Sequence, residues 1–467
     1  MNQVTQEALE HDLAARFGDE SLRRGSAQEP YLHDSTEMQG LQGSAAAVLA
    51  PAGPAEVEEA VAWCYERGIA VVPRGGGTGF AGGAVPTEGA VVLSLERLDR
   101  IRQLDPEYWR VEVEAGVTTG RLHETARENG LYFPVDPGAS EQSQIGGNIA
   151  CNAGGPHSFK YGVTGDFVLG LEAVVAPGRA VRLGGPVRKD VAGYDLKRLL
   201  IGSEGTLGIV TSAWLRLLPA PEAQVPVAAV YRTSKEGVEA LGRVLGYGLQ
   251  PATLEYLDGT ALATTGAAFP SPLPEQAGFL VVAEADGTRA AAEALAQELE
   301  EALGEDAVLV ESFATPARQR ALWRWRSGVS FGVAARHGGK MSEDIAVPFD
   351  RLGDAVDLVD ELARETGLET CSWGHAGDGN LHATFMIDAH NPDDVQRATR
   401  GAERLFERTL ALGGTVSGEH GLGLVKRAQL GRQFGPTEVS LQRQLKRLFD
   451  PRNLLNPGKK VDLDAYP

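Results

Sequence analysis

The chain has 467 residues, which exceeds the size of a single hydrophobic core and predicts two or three domains. Hydrophobic residues make up 43 % of it and charged residues 23 %, as expected of a soluble globular protein. The formal net charge of −19 argues against nucleic acid or an anionic membrane surface as the main partner.

The cysteine content and the first residues indicate the cellular compartment. Cys64, Cys151 and Cys371 lie far apart in sequence, which argues against a disulfide framework and against an iron–sulfur cluster, since a cluster needs about four thiolates. Residues 1–17 lack the basic start and apolar run of a signal peptide, and no apolar run approaches the ~18 residues that span a bilayer. We expect a cytoplasmic protein, with peripheral attachment to a membrane through a partner left open.

The first half of the chain predicts alternating helices and strands. Apolar residues at helical spacing between Glu56 and Arg67, with Pro54 near the start and Gly68 at the end, are typical of an amphipathic helix. The other elements predicted before residue 130 are a helix at 5–17, strands at 69–72, 90–95 and 110–115, and a helix from about Thr118 to Glu128.

The pattern changes beyond Pro219-Ala220-Pro221, where prolines stiffen the chain and disfavour a helix. The elements predicted there are strands at 279–283, 307–312 and 344–347, and helices at 289–303, 317–335 and 352–365. This order favours an α+β domain with an antiparallel sheet.

Residues 73–86 form the most unusual stretch, with six glycines among fourteen residues. Glycine lets backbone N–H groups fold closely around an anion, so the stretch is a candidate diphosphate cradle, with a mobile surface loop as the alternative. The spacing Gly77-x-Gly79-x-x-Gly82 matches a dinucleotide fingerprint, which also requires a helix at the glycines. Gly83, Pro86 and Gly89 make that helix very improbable, so we reject the fingerprint.

Two further glycine-rich stretches follow, at residues 136–155 and 200–211, and the first continues into Lys160-Tyr161-Gly162. Three such segments could together line a trough for a large ligand that carries a diphosphate and a flat ring. A loop-rich scaffold without a ligand is the alternative.

The second half contains a candidate metal site. Residues 371–387 are typical of a strand, a turn at Asp378-Gly379 and a second strand. His375 ends the first strand and His382 lies on the second, so both imidazoles can reach one metal ion, and Glu419 beside His420 supplies a third ligand. Two histidines and one glutamate suit Zn²⁺, Mn²⁺ or Fe²⁺. Ordinary core or surface histidines are the alternative.

Cationic residues precede this hairpin. Arg326 could bind a carboxylate with two parallel hydrogen bonds, and Lys340 could add a point charge. The alternative is that Arg326 and Lys340 are ordinary surface charges on a helix.

Taken in order, these motifs resemble the FAD-linked oxidases of the vanillyl-alcohol-oxidase/PCMH type. The branch they resemble is that of the D-2-hydroxy-acid dehydrogenases, with glycolate oxidase catalytic subunits, D-lactate dehydrogenases and D-2-hydroxyglutarate dehydrogenases. The resemblance runs from Tyr31 to Lys459 and is carried by Pro73-Arg74-Gly75-Gly76-Gly77-Thr78-Gly79, Ile145-Gly146-Gly147-Asn148, Gly193-Tyr194-Asp195-Leu196, Gly202-Ser203-Glu204-Gly205, Gly374-His375 through His382, Ser417-Gly418-Glu419-His420-Gly421 and Leu455-Asn456-Pro457-Gly458-Lys459.

The resemblance implies an α+β fold in three parts. Residues 1–219 would form a PCMH-type FAD-binding domain of two α+β subdomains, residues 220–430 an α+β substrate (cap) domain with an antiparallel sheet and the metal site, and residues 431–467 a segment that returns to the FAD domain. The residues expected to bind FAD are Pro73, Arg74, Gly75, Gly76, Gly77, Thr78, Gly79, Gly82, Asp136, Pro137, Ser143, Gly146, Gly147, Asn148, Ala153, Gly155, Tyr161, Gly162, Glu204, Gly208, Ile209 and Asn456.

The resemblance also assigns roles at the reaction centre. FAD would be non-covalent, because the first glycine loop lacks the histidine to which some relatives attach it. His375, His382 and Glu419 match the ligands of a divalent metal, with zinc or manganese expected, and His420 matches the catalytic base. The substrate carboxylate would contact Arg326 and Lys340, with Ser330 nearby. Thr384 stands where some dicarboxylate-handling relatives have an amide, so lactate or glycolate is at least as well supported as 2-hydroxyglutarate.

The implied reaction is metal-assisted oxidation of a D-2-hydroxy acid to the 2-oxo acid, with hydride transfer to FAD. The electrons would pass to a separate acceptor, which could be a quinone, a cytochrome, an electron-transfer flavoprotein or an iron–sulfur subunit. Two alternatives are a flavin enzyme of the same fold that acts on another alcohol or a sugar, and a non-catalytic flavoprotein subunit that relays electrons.

Overall fold

A computed structural model describes residues 6–36 and 40–463. The chain divides into two compact units. Unit one contains the described residues up to Ala153, Val163–Ala220 and the described residues from Glu419 onward. Unit two contains Gly154–Gly162 and Pro221–Gly418.

This division differs from the predicted domains in two places. The nine residues Gly154–Gly162 belong to unit two, although they lie within the predicted FAD-binding domain. The chain returns to unit one at Glu419, and not at residue 431. Both changes of unit fall within glycine-containing motifs, and neither has two prolines as Pro219-Ala220-Pro221 does.

A largely parallel sheet forms the first part of unit one. In the described part of the chain it has four strands, in the order Leu22–Arg23, Ala45–Leu49, Ala90–Ser94 and Val71–Arg74. The last three run parallel, and helix Pro54–Arg67 connects two of them. Its buried face consists of apolar residues at helical spacing, among them Val57, Ala60, Val61 and Cys64. The helix ends where Gly68 adopts a left-handed φ of 71°.

An antiparallel sheet forms the second part of unit one. Its strands, within the described residues, follow the order Ile101–Asp105, Arg110–Glu114, Ile209–Arg216, Val168–Val175 and Arg179–Gly184. The described residues of unit one also form α-helices Gln6–Phe17, Thr119–Glu128, Ile145–Cys151, Thr164–Phe167, Leu196–Leu200, Leu430–Gln433 and Pro436–Phe449, and the paired strands Leu131–Tyr132 and Leu218–Pro219.

Unit two is built on an antiparallel sheet. Across the part of the chain that is described, the strand order is Leu309–Ser312, Ala223–Tyr231, Phe279–Gly287, Thr253–Asp258, Glu369–His375, Asn380–Ile387 and Gly339–Ala346. Its α-helices are Ser158–Tyr161, Ser234–Gly246, Gly259–Thr265, Arg289–Gly304, Pro316–His337, Leu352–Thr366 and Pro392–Ala411. All eight residues of Asn380–Ile387 are buried, so both faces of this strand are covered.

The α+β prediction is confirmed, with differences in detail. The helix predicted at 5–17 is Gln6–Phe17, and residue 5 lies outside the described residues. The strand predicted at 344–347 begins five residues earlier, at Gly339. Several elements were not predicted: strands Ala223–Tyr231 and Thr253–Asp258, and helices Ser234–Gly246, Gly259–Thr265, Pro392–Ala411 and Pro436–Phe449.

Two glycines in one helix of unit two give a matched test of its packing. A Cβ at Gly237 would lie 2.1 Å from the Phe279 ring, whereas a Cβ at Gly242 meets nothing within 4 Å. We expect Gly237→Ala to lower the free energy of unfolding by about 1–3 kcal/mol through overpacking. Gly242→Ala should raise it by about 0.5–1 kcal/mol, since alanine loses less backbone entropy in a helix. Urea unfolding followed by circular dichroism would measure both, and equal effects would contradict the packing described.

Candidate functional site

The glycine-rich stretches of unit one lie against one another. A Cβ at Gly76 would fall 2.0 Å from the carbonyl oxygen of Gln142, and one at Gly205 would fall 2.5 Å from the Pro73 ring. Residues 73–79, 142–147 and 202–205 therefore converge through close contacts that only glycine permits.

Other glycines in these stretches border open space. A Cβ added at Gly79, Gly83 or Gly147 would meet nothing within 4 Å. Residues 75–89 form neither helix nor strand. This agrees with our rejection of the dinucleotide fingerprint, because that fingerprint requires a helix at the glycines. Unit one thus presents exposed main chain beside a cluster of close main-chain contacts, which is the arrangement that a diphosphate cradle needs.

The last part of the chain closes around this region of unit one. The Glu204 carboxylate accepts hydrogen bonds from the backbone N–H groups of Leu422 (3.0 Å) and Gly423 (2.7 Å). The Asn456 side chain donates to the carbonyl oxygens of Gly83 (3.0 Å) and Glu204 (2.7 Å). Glu204 and Asn456, both predicted to bind FAD, therefore join the glycine stretches to the C-terminal residues of unit one.

The Arg74 side chain holds neighbouring backbone. Its guanidinium donates to the carbonyl oxygens of Pro30 and His33, each at 2.6 Å, and lies 5.6 Å from the centroid of the Tyr31 ring. Burial lowers the pKa of Arg74 from its ordinary value. Because the Arg74 side chain already binds these carbonyl groups, we expect Arg74 to contact a cofactor through its backbone.

The other predicted cofactor residues divide between the two units. Unit one holds Pro73, Arg74, Gly75, Gly76, Gly77, Thr78, Gly79, Gly82, Asp136, Pro137, Ser143, Gly146, Gly147, Asn148, Ala153, Glu204, Gly208, Ile209 and Asn456. Unit two holds Gly155, Tyr161 and Gly162. The Tyr161 hydroxyl donates to the Asp286 carboxylate, and burial together with that carboxylate raises the pKa of Tyr161.

Unit two brings two predicted metal ligands together. His375 ends strand Glu369–His375 and His382 lies on the adjacent strand Asn380–Ile387. Their ring centroids are 5.5 Å apart, their planes are nearly perpendicular, and both side chains are buried. The short connection works because Gly379 takes a left-handed φ of 66°.

A carboxylate that the sequence did not predict lies beside this pair. The Glu255 side chain is fully buried on strand Thr253–Asp258, directly opposite His375 in the sheet register. Its Oε1 accepts from His375 Nδ1 at 2.6 Å and its Oε2 accepts from Arg326 Nη2 at 2.5 Å. Burial alone would raise the pKa of Glu255, but His375 and Arg326 bring it below the ordinary value, so the carboxylate is ionised.

Asp344 is a second unpredicted acid at this place. It lies opposite His382 in the register, with a carboxylate oxygen within 4.8 Å of a His382 ring nitrogen. It accepts hydrogen bonds from Asn380 Nδ2 (2.6 Å) and Ser417 Oγ (2.9 Å). The residues around it carry no local sign of its role, because its partners Asn380 and Ser417 lie 36 and 73 residues further along the chain.

The predicted carboxylate-binding residues also meet in unit two. Arg326 and Ser330 lie one turn apart on helix Pro316–His337, and Lys340 Nζ donates to Ser330 Oγ. Lys340 lies 5.3 Å from the centroid of the Trp373 ring, and burial lowers the pKa of Lys340 to about 8. Arg326 Nε is buried and donates to no acceptor within the described residues.

Glu419 and His420 belong to unit one, which the chain re-enters directly after Gly418. Glu419 Oε1 is 3.9 Å from His420 Nε2, and the His420 ring centroid is 4.8 Å from that of Phe80. Among the described residues, no helix combines the length and hydropathy that crossing a bilayer requires.

Comparison with known proteins first identifies the class of fold. The solved structure of p-cresol methylhydroxylase with substrate bound superposes with a TM-score of 0.81 at 19 % sequence identity, over 100 % of this chain and 99 % of that one. The chain therefore has the PCMH-type flavoprotein fold that its motifs resembled, and this prediction is confirmed.

The family follows from sequence. The family described as "FAD binding domain" matches residues 45–184, and that described as "FAD linked oxidases, C-terminal domain" matches residues 220–460. The glycolate oxidase subunit GlcD of Bacillus subtilis is 37 % identical over 93 % of this chain and 92 % of its own length. A probable mitochondrial D-lactate dehydrogenase of Danio rerio is 34 % identical over 96 % of this chain and 90 % of its own. The chain belongs to the FAD-linked oxidases and is an FAD-dependent oxidoreductase.

The residues present fit FAD. The open positions beside Gly79, Gly83 and Gly147 give a bound diphosphate direct access to the main chain, with no Cβ in the way. The residues also fit a divalent metal, because a metal-bound histidine usually donates its other ring N–H to a carboxylate, as His375 does to Glu255.

Substitution of Gly76 tests the convergence of the glycine stretches. Gly76→Ala would place a methyl group against the Gln142 carbonyl and force residues 73–79 away from residues 142–147. We expect purified Gly76→Ala to contain substoichiometric FAD, measured by flavin absorbance per protein. Gly185→Ala, where a Cβ meets nothing within 4 Å, should keep full flavin content. Full occupancy in Gly76→Ala would contradict a cradle built on this contact.

Proposed function

We propose that the protein oxidises a small D-2-hydroxy acid, such as D-lactate or glycolate, to the 2-oxo acid. The observation that carries the proposal is the buried histidine pair of unit two beside two cationic side chains. His375 and His382 are suited to an alcohol held by a metal, and Arg326 and Lys340 are suited to the carboxylate of the same molecule. Relatives named glycolate oxidase subunit and D-lactate dehydrogenase support the same substrate class.

Arg326 and Lys340 bind and orient the substrate carboxylate in this proposal. Arg326 Nε is a buried donor without an acceptor in the described part of the chain, and such a donor is costly unless a ligand completes it. Lys340 adds a cation that is already desolvated, so its interaction with a carboxylate is stronger than at the surface. Together they fix the orientation of the substrate, and so the direction in which its C2–H bond points.

His375, His382 and Glu419 would hold a divalent metal, with zinc or manganese expected. His375 would bind through Nε2, because Glu255 accepts from its Nδ1. The metal would supply Lewis acidity that lowers the pKa of the substrate hydroxyl. His420 accepts the hydroxyl proton as the general base, because a neutral imidazole has a ring-nitrogen lone pair that can take it.

FAD, bound non-covalently, would supply the hydride acceptor. The hydride leaves C2 as the hydroxyl proton leaves, so the substrate loses two electrons and becomes a 2-oxo acid. A separate acceptor must then take the electrons: a quinone, a cytochrome, an electron-transfer flavoprotein or an iron–sulfur subunit.

A pair of hydroxyl groups favours a small substrate over a dicarboxylate. Thr384 lies two residues after His382, and its Oγ1 is 2.7 Å from Ser342 Oγ, so these two hydroxyls bond to each other. Neither group carries the charge or the paired donors that a second carboxylate would require. D-2-Hydroxyglutarate is accordingly the weaker candidate.

Anaerobic mixing with single enantiomers tests the proposed reaction. We expect D-lactate or glycolate to bleach the flavin absorbance of the holoenzyme and L-lactate to leave it unchanged. Dialysis against a chelator should slow bleaching without releasing FAD, and Mn²⁺ or Zn²⁺ should restore it. Bleaching by the L enantiomer alone would overturn the stereochemical assignment, and full activity after metal removal would overturn the metal assignment.

Lys340 predicts a pH dependence of kcat/KM. The Lys340 ammonium is present below its pKa of about 8 and is lost as the pH rises through that value. We expect kcat/KM for the hydroxy acid, measured with an artificial electron acceptor, to fall by about tenfold above pH 8, since a hydrogen bond to a charged group contributes about 1.5 kcal/mol or more.

Two variants make this test specific. Lys340→Met should have a low kcat/KM at every pH and no decline centred near pH 8. Lys235→Met, which removes an exposed lysine from helix Ser234–Gly246, should keep the wild-type profile. A decline that persists in Lys340→Met would assign it to another group.

A further inference from the structure

We infer that Glu255 is a positioning residue that sets both the tautomer of His375 and the orientation of Arg326. One carboxylate would thereby fix the metal-binding and the carboxylate-binding side chains of unit two relative to each other. This inference rests on the proposed function and deepens it, because it adds a residue that acts through two others.

The placement of Glu255 supports this role. It lies on strand Thr253–Asp258, which pairs with Phe279–Gly287 on one side and with Glu369–His375 on the other. Glu255 and His375 are partners in register, so both side chains leave the same face of the sheet. Helix Pro316–His337 brings Arg326 to the second oxygen of the carboxylate. The strand that carries Glu255 is paired on both sides, and the carboxylate has no solvent exposure.

The two contacts of Glu255 require a group with two acceptors. Oε1 accepts from His375 Nδ1 and Oε2 accepts from Arg326 Nη2, and neither position tolerates a donor if both contacts are kept. His375 must therefore carry its proton on Nδ1 when neutral, which leaves the Nε2 lone pair as its metal-binding site. The position of Glu255 Oε1 against Nδ1 therefore sets the tautomer of His375.

Glutamine at this position would break the arrangement in one of two ways. If the amide oxygen of Gln accepts from Arg326, its NH₂ group faces His375 Nδ1, and the imidazole proton must move to Nε2, where a metal would bind. If the amide is turned over, Arg326 loses its acceptor and faces a donor. Either result weakens one half of the site while the shape and volume of the side chain are retained.

A second buried glutamate provides the matched control. Glu284 lies on the adjacent strand Phe279–Gly287, is equally inaccessible, and accepts from Trp323 Nε1 (2.8 Å) and Gln224 Nε2 (3.0 Å). None of these hydrogen bonds involves His375 or Arg326. If buried glutamates in this sheet serve only stability, Glu255→Gln and Glu284→Gln should behave alike.

The test is equilibrium Mn²⁺ binding to the FAD-loaded, metal-stripped protein by titration calorimetry, with flavin content and melting temperature recorded for each variant. We expect Glu255→Gln to weaken Mn²⁺ binding by about 10–100-fold, as loss of a carboxylate behind a metal-bound histidine does, with flavin content unchanged. Glu284→Gln should bind Mn²⁺ as the wild type does. KM for the hydroxy acid should also rise in Glu255→Gln and not in Glu284→Gln.

The outcomes separate the two proposals. Wild-type Mn²⁺ affinity together with a wild-type KM in a folded Glu255→Gln would overturn the inference and leave the proposed function intact. Absence of Mn²⁺ binding in the wild type would overturn the metal step of the proposed function and this inference with it. If Glu255→Gln does not fold, Glu255→Asp keeps the charge but withdraws the oxygens by one methylene; weakened Mn²⁺ binding there supports the inference, and unchanged binding overturns it.

Discussion

A buried charge must be neutralised by partners that are fixed in place, and this constraint organises unit two. Glu255 has no access to solvent, and an isolated ionised carboxylate in such a setting costs several kcal/mol. Its two oxygens are satisfied by an imidazole from the neighbouring strand and a guanidinium from a helix. The strands and the helix that surround the acid are therefore held by the same contacts that orient His375 and Arg326.

Unit one differs, because its candidate cofactor site consists of main chain. Close approach of backbone segments is possible only where no Cβ intervenes, as at Gly76 against Gln142. The polar side chains nearby are used to hold this backbone: Glu204 accepts two N–H groups, and Arg74 donates to two carbonyl groups. The specificity of unit one for a flavin would thus depend on how the chain is folded, whereas the proposed substrate chemistry would depend on side chains of unit two and on His420.

Local patterns allowed part of this structure to be predicted. Helix Pro54–Arg67 follows from apolar spacing and its terminal glycine, and the closeness of His375 and His382 follows from a single turn. Glu255 could not be found in this way, because its partners lie 71 and 120 residues away and a lone acid in a strand gives no sign of burial. The same holds for Gly154–Gly162, whose membership of unit two depends on His157, Lys160 and Tyr161 reaching Glu284 and Asp286 more than 120 residues later.

The membership of Gly154–Gly162 in unit two has a consequence for biosynthesis, because the chain is synthesised from its N-terminus. Unit two takes nine residues from early in the chain, and unit one takes the residues from Glu419 onward. Glu204 receives its N–H donors from Leu422 and Gly423, and Lys446 donates to the Thr206 carbonyl, so unit one stays incomplete until translation is nearly finished. A fragment cut at Pro221 would release a second half whose Asp286 has lost Lys160 and Tyr161. The gene consequently cannot be divided at its most obvious linker into two pieces that each contain a whole domain.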